Sequence, residues 1–263
     1  MSARAWCISI LLASLMVPAV GQAASSVLNV EVEGLGGPFG DPPGAYNQYY
    51  WSGAFAGAMA DGAFVIDDQT DVLGYPWPNM PALSAHAAID NTYATAATSY
   101  GTAELDMAVV PGPTHRFAEA FGEVEHWIDF ETSLPGEVIG ARFEYSYDLE
   151  TGGLFEVAYF EMYVWAELYE WVDDNSDGIR DDDEWYYLDD AEYWDLWFVA
   201  DGDDDSWSYG DECWFDPVGP GVYSLGIGAW GGVGAATIPA PGALALASIG
   251  IAVAGWLRRH KRL

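Results

Sequence analysis

Between Ala158 and Trp171 the chain keeps a strict period of two. Ala158, Phe160, Met162, Val164, Ala166 and Leu168 take one parity; Tyr159, Glu161, Tyr163, Trp165, Glu167, Tyr169 and Trp171 take the other. A strand throws successive side chains to opposite faces, whereas a helix repeats every ~3.6 residues and would mix the two sets. Glu, Ala, Met and Leu favour helix by propensity. The unbroken alternation outweighs them and predicts a strand over Leu154–Trp171, with one face buried.

The same pattern recurs. Ser26–Glu33 alternates as a first strand, and Tyr46–Ile66 reads as one or two strands with glycine at close-packed points. Ser84–Val110 is a ribbon of Ala, Thr, Ser and Tyr. Its alanines suggest helix, but the threonines, tyrosines and Gly101 favour strands. Val124, His126, Ile128 and Phe130 share a face, as do Ile139, Ala141, Phe143, Tyr145, Tyr147 and Leu149. Trp185–Ala200 and Trp207–Phe215 are aromatic-rich strands, and Tyr223, Leu225, Ile227 and Ala229 mark a last one. Pro135-Gly136 reads as a turn, Thr151-Gly152-Gly153 as a hairpin turn, and Gly231–Thr237 as a flexible lead-out. Many short strands without β–α alternation predict an all-β fold: a single antiparallel, jelly-roll-like β-sandwich over residues 24–237.

Both ends read differently. Met1–Arg4, the apolar run Ala5–Val20 and Gly21-Gln22-Ala23 have the parts of a signal peptide, residues 1–23, cut by signal peptidase after Ala23. Cys7 leaves with that leader, so Cys213 remains alone and no internal disulfide is possible. The acids beside Cys213 raise its pKa, which argues for an idle thiol rather than a nucleophile.

The charge is segregated. All 41 acidic residues lie between Glu31 and Asp216, where only Arg116, Arg142 and Arg180 oppose them. Such a body repels nucleic acid and anionic membrane, and attracts divalent cations and basic partners.

One acidic stretch has ligand spacing. Counting from Asp173, oxygen ligands fall at the first, third, fifth, ninth and twelfth places: Asp173, Asn175, Asp177, Asp181 and Glu184. Gly178 at the sixth lets the backbone turn, so that Ile179 offers its carbonyl. Ca²⁺ takes several hard oxygen ligands in such a loop. The stretch resembles the calcium loop of EF-hands, and more closely the thrombospondin type 3 variant, which places an apolar residue where Ile179 stands. The resemblance implies bound Ca²⁺; the plain alternative is a solvated acidic loop. Asp201–Asp205, followed by Ser206 where such a loop needs its sixth-place glycine, reads as a charged hairpin loop.

The outward parity of Tyr159–Trp171, with Trp185, Tyr186, Tyr187, Trp194 and Trp197, can stack on sugar rings. Tyr163, Trp165 and Trp171 are the candidates for a glycan platform, against the commoner role of such rings in cross-strand packing. No catalytic motif emerges. His86, His115 and His126 lack zinc spacing, and His126 reads as a strand histidine on an apolar face. With so many acids, any pair of glycosidase carboxylates would be arbitrary.

The tail, residues 238–263, has three parts: Ile238-Pro239-Ala240-Pro241-Gly242, the uncharged run Ala243–Leu257, and Arg258-Arg259-His260-Lys261-Arg262. The run is about 22 Å long as a helix, short for a hydrocarbon core of about 30 Å. This arrangement resembles the PEP-CTERM sorting signal of exopolysaccharide-producing bacteria, with Ala240 in place of the family's glutamate. The resemblance implies a short hydrophobic sorting helix and transient membrane insertion. It also implies removal by an exosortase-like membrane protease and delivery to the envelope, outer surface or extracellular matrix. The resulting expectation is an exported, non-enzymatic structural or adhesive protein. The alternative is a carbohydrate-binding module for exopolysaccharide, and a polysaccharide-active enzyme is a third reading that no motif supports.

Overall fold

The structure is a computed structural model that describes residues 24–37, 49–73, 82–99, 101–109, 117–133, 135–152, 156–176 and 184–237, with residues 49, 50, 70–73 and 237 described as backbone only. The expected leader and sorting helix lie outside these residues.

The protein is all-β. Among the described residues twelve strands follow in order: β1 (Ser25–Gly36), β2 (Tyr49–Ala60), β3 (Ala63–Leu73), β4 (Leu83–Ile89), β5 (Thr92–Ser99) and β6 (Thr102–Val109). Then come β7 (Phe117–Thr132), β8 (Ile139–Glu150), β9 (Glu156–Trp171), β10 (Trp185–Ala200), β11 (Asp204–Trp214) and β12 (Gly221–Thr237). They form two six-stranded antiparallel sheets. Sheet A has the order β11-β8-β1-β6-β5-β4, and sheet B the order β10-β9-β12-β7-β2-β3. The chain turns tightly within a sheet at β2–β3 and β4–β5–β6, stays in sheet B through the longer β9–β10 connection, and changes sheet elsewhere.

The core tapers. At one side it is alanine on both faces: Ala54, Ala56 and Ala58 on β2 meet Ala85, Ala87, Ala94 and Ala96 on β4 and β5. Side chains this small let the sheets approach closely. Toward β8 and β9 the filling becomes Phe143, Tyr145, Phe160, Met162 and Leu168. At the far side the backbones of the two edge strands, β10 and β11, stand apart, and the strands meet through the stacked rings of Tyr193 and Tyr209, 5.4 Å between centroids. The thin end explains why the Ser84–Val110 ribbon is so poor in large side chains.

Three expectations need correction. Thr151-Gly152 does not turn a hairpin, because β8 already pairs with β1 and β11 and the chain leaves it for the other sheet. Thr151 instead ties the end of β8 to the β10–β11 connection: its hydroxyl donates to the Asp203 carbonyl (2.9 Å) and accepts from Gly202 N–H (2.8 Å). That connection, Asp201–Asp203, likewise joins two sheets rather than closing a hairpin.

Gly231–Thr237 is not a lead-out either. β12 runs unbroken to Thr237, hydrogen-bonded to β7 on one side and β9 on the other. Glycine there serves packing: a Cβ on Gly231 would sit 2.7 Å from the Met107 methyl group, which crosses from sheet A.

Candidate functional site

The parity of β9 decides what faces out of sheet B. Its even residues enter the core, and Tyr159, Glu161, Tyr163, Trp165, Glu167 and Tyr169 point outward, half-buried. Beside β9 runs β12, whose outward positions include Gly226, Gly228, Gly232 and Gly234. Neighbouring rings fill the space these glycines leave. A Cβ on Gly228 would lie 2.5 Å from the Trp165 ring, and one on Gly226 2.6 Å from Trp127; Gly234 sits under Tyr159. The rings therefore lie down across β12 and meet one another. Trp127 is 5.4 Å from Trp165 and 5.8 Å from Tyr169, and Tyr169 is 5.7 Å from Tyr187, all as ring centroids.

On the other flank, β10 completes a checkerboard. One extra residue at Leu188 shifts the register between Tyr187 and Asp189. A bulge of this kind changes which parity faces out. Trp194 consequently pairs with outward Tyr163 and Glu192 with Trp165, while Trp197 pairs with inward Phe160. Tyr163 lies beside Glu192, and Trp194 beside Glu161. Trp194 remains 55% exposed and Phe198 65%.

Electrostatics on this face is one-sided. No strand of sheet B contains a lysine or arginine. Burial raises the Glu161 carboxyl above its ordinary pKa, with the neighbouring Trp194 indole opposing. Glu125 is raised by burial and by its neighbours Glu123 and Glu167. Tyr163 is pushed up by burial and by Glu192.

Of the expected platform residues, Tyr163 and Trp165 lie together on this face. Trp171, at the end of β9, is engaged otherwise, its indole N–H donating to Glu184 at 3.0 Å. Trp194, one of the rings expected to be able to stack on sugar, belongs to the surface, and so does Trp127, which was not expected there. Their parity was readable within each strand, but the strand order that makes them neighbours was not.

Glu184 is the twelfth residue of the expected calcium loop, which connects β9 to β10. The loop's ends are held together, with Val172 N–H donating to the Glu184 carbonyl at 3.0 Å and Trp171 pairing with Trp185. The flanks are strands, so the loop is not set in a helix–loop–helix. Glu184 is only 3% exposed. One carboxylate oxygen takes the Trp171 bond, and the other, Oε1, is buried with no hydrogen-bond partner among the described residues. Asp173 is half-buried and Asn175 exposed. The Tyr186 hydroxyl donates to Asp174. Asp177, Ile179 and Asp181 lie outside the described residues, as do Ala23, Pro239, Ala240, Pro241, Arg258 and Arg259. Among the described residues, no group of three or more His, Cys, Asp or Glu side chains is arranged to hold a metal.

Sheet A carries a second polar feature that sequence reading missed. Glu31 on β1 stands directly between Glu104 on β6 and Glu144 on β8. The three line a shallow depression of about 650 Å³ with Asn29, Asp106 and Ser208. The Glu31 carboxyl is raised above its ordinary pKa by partial burial and then by Glu104 and Glu144. One register step away Arg142 lies between Glu33 (2.9 Å) and Glu212 (2.8 Å). Cys213 is half-buried, its thiol donating to the Ala141 carbonyl and pushed up chiefly by burial.

A scan against protein-family models finds no match to the chain, and a search of curated proteins finds none.

Proposed function

We propose that this is an exported, non-enzymatic adhesive or structural protein of the bacterial surface or extracellular matrix, built on a jelly-roll-like sandwich. The observation that carries this reading is the outer face of sheet B, where half-exposed rings alternate with carboxylates. Rings set between hydrogen-bonding groups are a surface for holding a polymer. The leader and the PEP-CTERM-like tail supply the route: signal peptidase acts after Ala23, and an exosortase-like protease acts near Pro239-Ala240-Pro241 after transient membrane insertion stopped by Arg258 and Arg259. Intact mass of the protein recovered from the matrix of its native host tests the route. The expected product lacks both terminal segments; a full-length product would overturn it.

Ca²⁺ at Asp173–Glu184 fits what is described of the loop. Glu184 Oε1 is a buried carboxylate oxygen without a partner among the described residues, an arrangement costly for a carboxylate and natural for a metal ligand. Asp173, Asn175, Asp177, Asp181, Glu184 and the Ile179 carbonyl would hold the ion, which would join the ends of β9 and β10. An ion that binds only the folded state stabilises it by mass action. Millimolar Ca²⁺ should raise Tm and chelator should lower it, and Glu184→Gln should abolish the difference. A wild-type Tm indifferent to Ca²⁺ would remove the site.

A second reading has its own observation. The rings of Trp127 and Trp165 lie over Gly226 and Gly228, and Trp127 touches both Trp165 and Tyr169, which suits stacking on the pyranose rings of exopolysaccharide. Retention on the host's own polysaccharide in affinity electrophoresis, lost in Trp165→Ala, tests this carbohydrate-binding role.

A further inference from the structure

We propose that the outer face of β9 and β10 binds an amine-bearing polysaccharide, a polymer of partly de-N-acetylated hexosamine. This rests on the carbohydrate-binding reading and names the class of glycan. The selection comes from charge. Tyr163, Trp165 and Trp194 supply ring faces, and Glu161, Glu167 and Glu192 stand between them at neighbouring register positions. Sheet B offers these carboxylates no lysine or arginine from any of its strands. A uronic-acid polymer would meet only like charge there. A neutral glycan would stack but leave the carboxylates unanswered. A polymer with an ammonium group on its sugars satisfies both elements: its apolar ring faces stack on indole and phenol, and its cations pair with the carboxylates and lie near the aromatic faces.

The fold favours a glycan over a basic peptide on this patch. β9 is hydrogen-bonded along both sides, to β10 and β12. β9 itself has no free edge for a peptide to join as an added strand, the usual way an extended peptide gains affinity from a sheet; the free edge belongs to β10, and a strand added there would lie a full strand away from Tyr163 and Trp165 rather than across them. Recognition must run through side chains. Part of that surface is ordered in advance: Trp165 is seated on Gly228 and packed against Trp127. Groups already fixed in place cost little entropy on binding.

The test uses the purified full chain and three soluble probes at mildly acidic pH and low salt: chitosan oligosaccharide, its fully N-acetylated counterpart, and alginate oligosaccharide, with polylysine as competitor. The expected result is tightest binding to chitosan, falling as salt rises. Trp194→Ala should weaken it about tenfold, the scale of one central contact, and Glu192→Gln several-fold. Trp207→Ala, an exposed indole on β11 in the other sheet, should leave it unchanged. Thermal melts identify any variant that loses its fold, and Glu161→Gln then serves in its place. Equal binding of the acetylated and deacetylated probes would overturn the amine selection while leaving the carbohydrate-binding reading intact. Binding of neither would overturn both. Chitosan binding that survives Trp194→Ala, or that polylysine displaces at equal charge, would reduce the interaction to general electrostatics and overturn the proposal.

Discussion

His126 shows how a single buried side chain fixes a pH response. It lies on the inner face of β7, fully buried, with Nδ1 2.7 Å from the Ser52 hydroxyl of β2. Burial disfavours the charged imidazolium and lowers its pKa from 6.5 to about 3. The folded protein therefore refuses a proton that the unfolded chain accepts once the pH drops below 6.5. Stability contributed by the neutral ring is present above that value and is lost as pH falls toward 3. Linkage puts the loss at about 1.4 kcal/mol between about pH 7.5 and pH 5.5. Glu31, Glu125 and Glu161 act in the opposite sense. Their folded pKa values are raised, so their contribution is full below the unfolded value and is lost as pH rises through the folded one. Replacing both members of the buried pair, Ser52→Ala with His126→Leu, removes only the histidine's share. Urea unfolding at the two pH values should show the wild type losing about 1.4 kcal/mol more than the double variant; parallel losses would contradict the assignment. That His126 faces the core was legible in the alternation of Val124, Ile128 and Phe130. Its partner was not, since Ser52 comes from a strand far away in sequence.

At the scale of an element, β12 is the strand on which the outer face of sheet B is built, and its glycines are the instructive case. A glycine-rich run such as Gly226 to Gly234 looks like flexible chain, because glycine loses more entropy on ordering than any other residue. In place, the run is a central strand whose missing side chains are replaced by rings from β7 and β9. Gly228→Ala puts a methyl group 2.5 Å from the Trp165 ring. The indole must lift, at a cost of about 1–3 kcal/mol for overpacking. Gly219→Ala, where a new Cβ meets nothing within 4 Å, should stay within about 0.5 kcal/mol of wild type. Chemical denaturation measures the first difference, and a red-shifted tryptophan emission reports the lifted ring. A Gly228→Ala protein with unchanged stability and emission would mean the rings do not rest on this strand. Alternation marked β1, β7, β8, β9 and most of β12; composition marked β2 to β6 as strand-forming without fixing how many strands they hold, and the sharing of strands between two sheets was not legible. Alternation reports burial on one face and is silent about which strand lies alongside. For that reason Thr151-Gly152-Gly153 resembled a hairpin, and the row Glu104–Glu31–Glu144 stayed invisible across three distant segments.

The whole molecule is tapered, and its thick side is where the sheets end in β10 and β11. Large exposed apolar side chains concentrate there: Leu188, Trp194, Leu196, Trp197 and Phe198 on β10, with Trp207 and Trp214 on β11. Each of these strands pairs on one side only, with β9 and β8 respectively. A long exposed edge with apolar side chains is a template for pairing with another chain. What guards it here is charge: Asp189, Asp190, Glu192 and Asp195 on β10, and Asp204, Asp205, Asp211 and Glu212 on β11. Neither strand has a basic residue, so this protection depends entirely on ionised carboxylates, and two copies approaching edge to edge repel each other. Protonation removes that barrier while leaving the unpaired backbone and the rings in place. As the pH is brought down toward the pI, about 4.1, light scattering should show self-association. Leu196→Lys should oppose it, because a lysine keeps its charge when carboxylates lose theirs. The same substitution on β3, Ile66→Lys, should not, although Ile66 is also exposed at an edge of sheet B. Equal suppression by both variants would assign the association to net charge alone, and none by either would place the contact elsewhere than on β10.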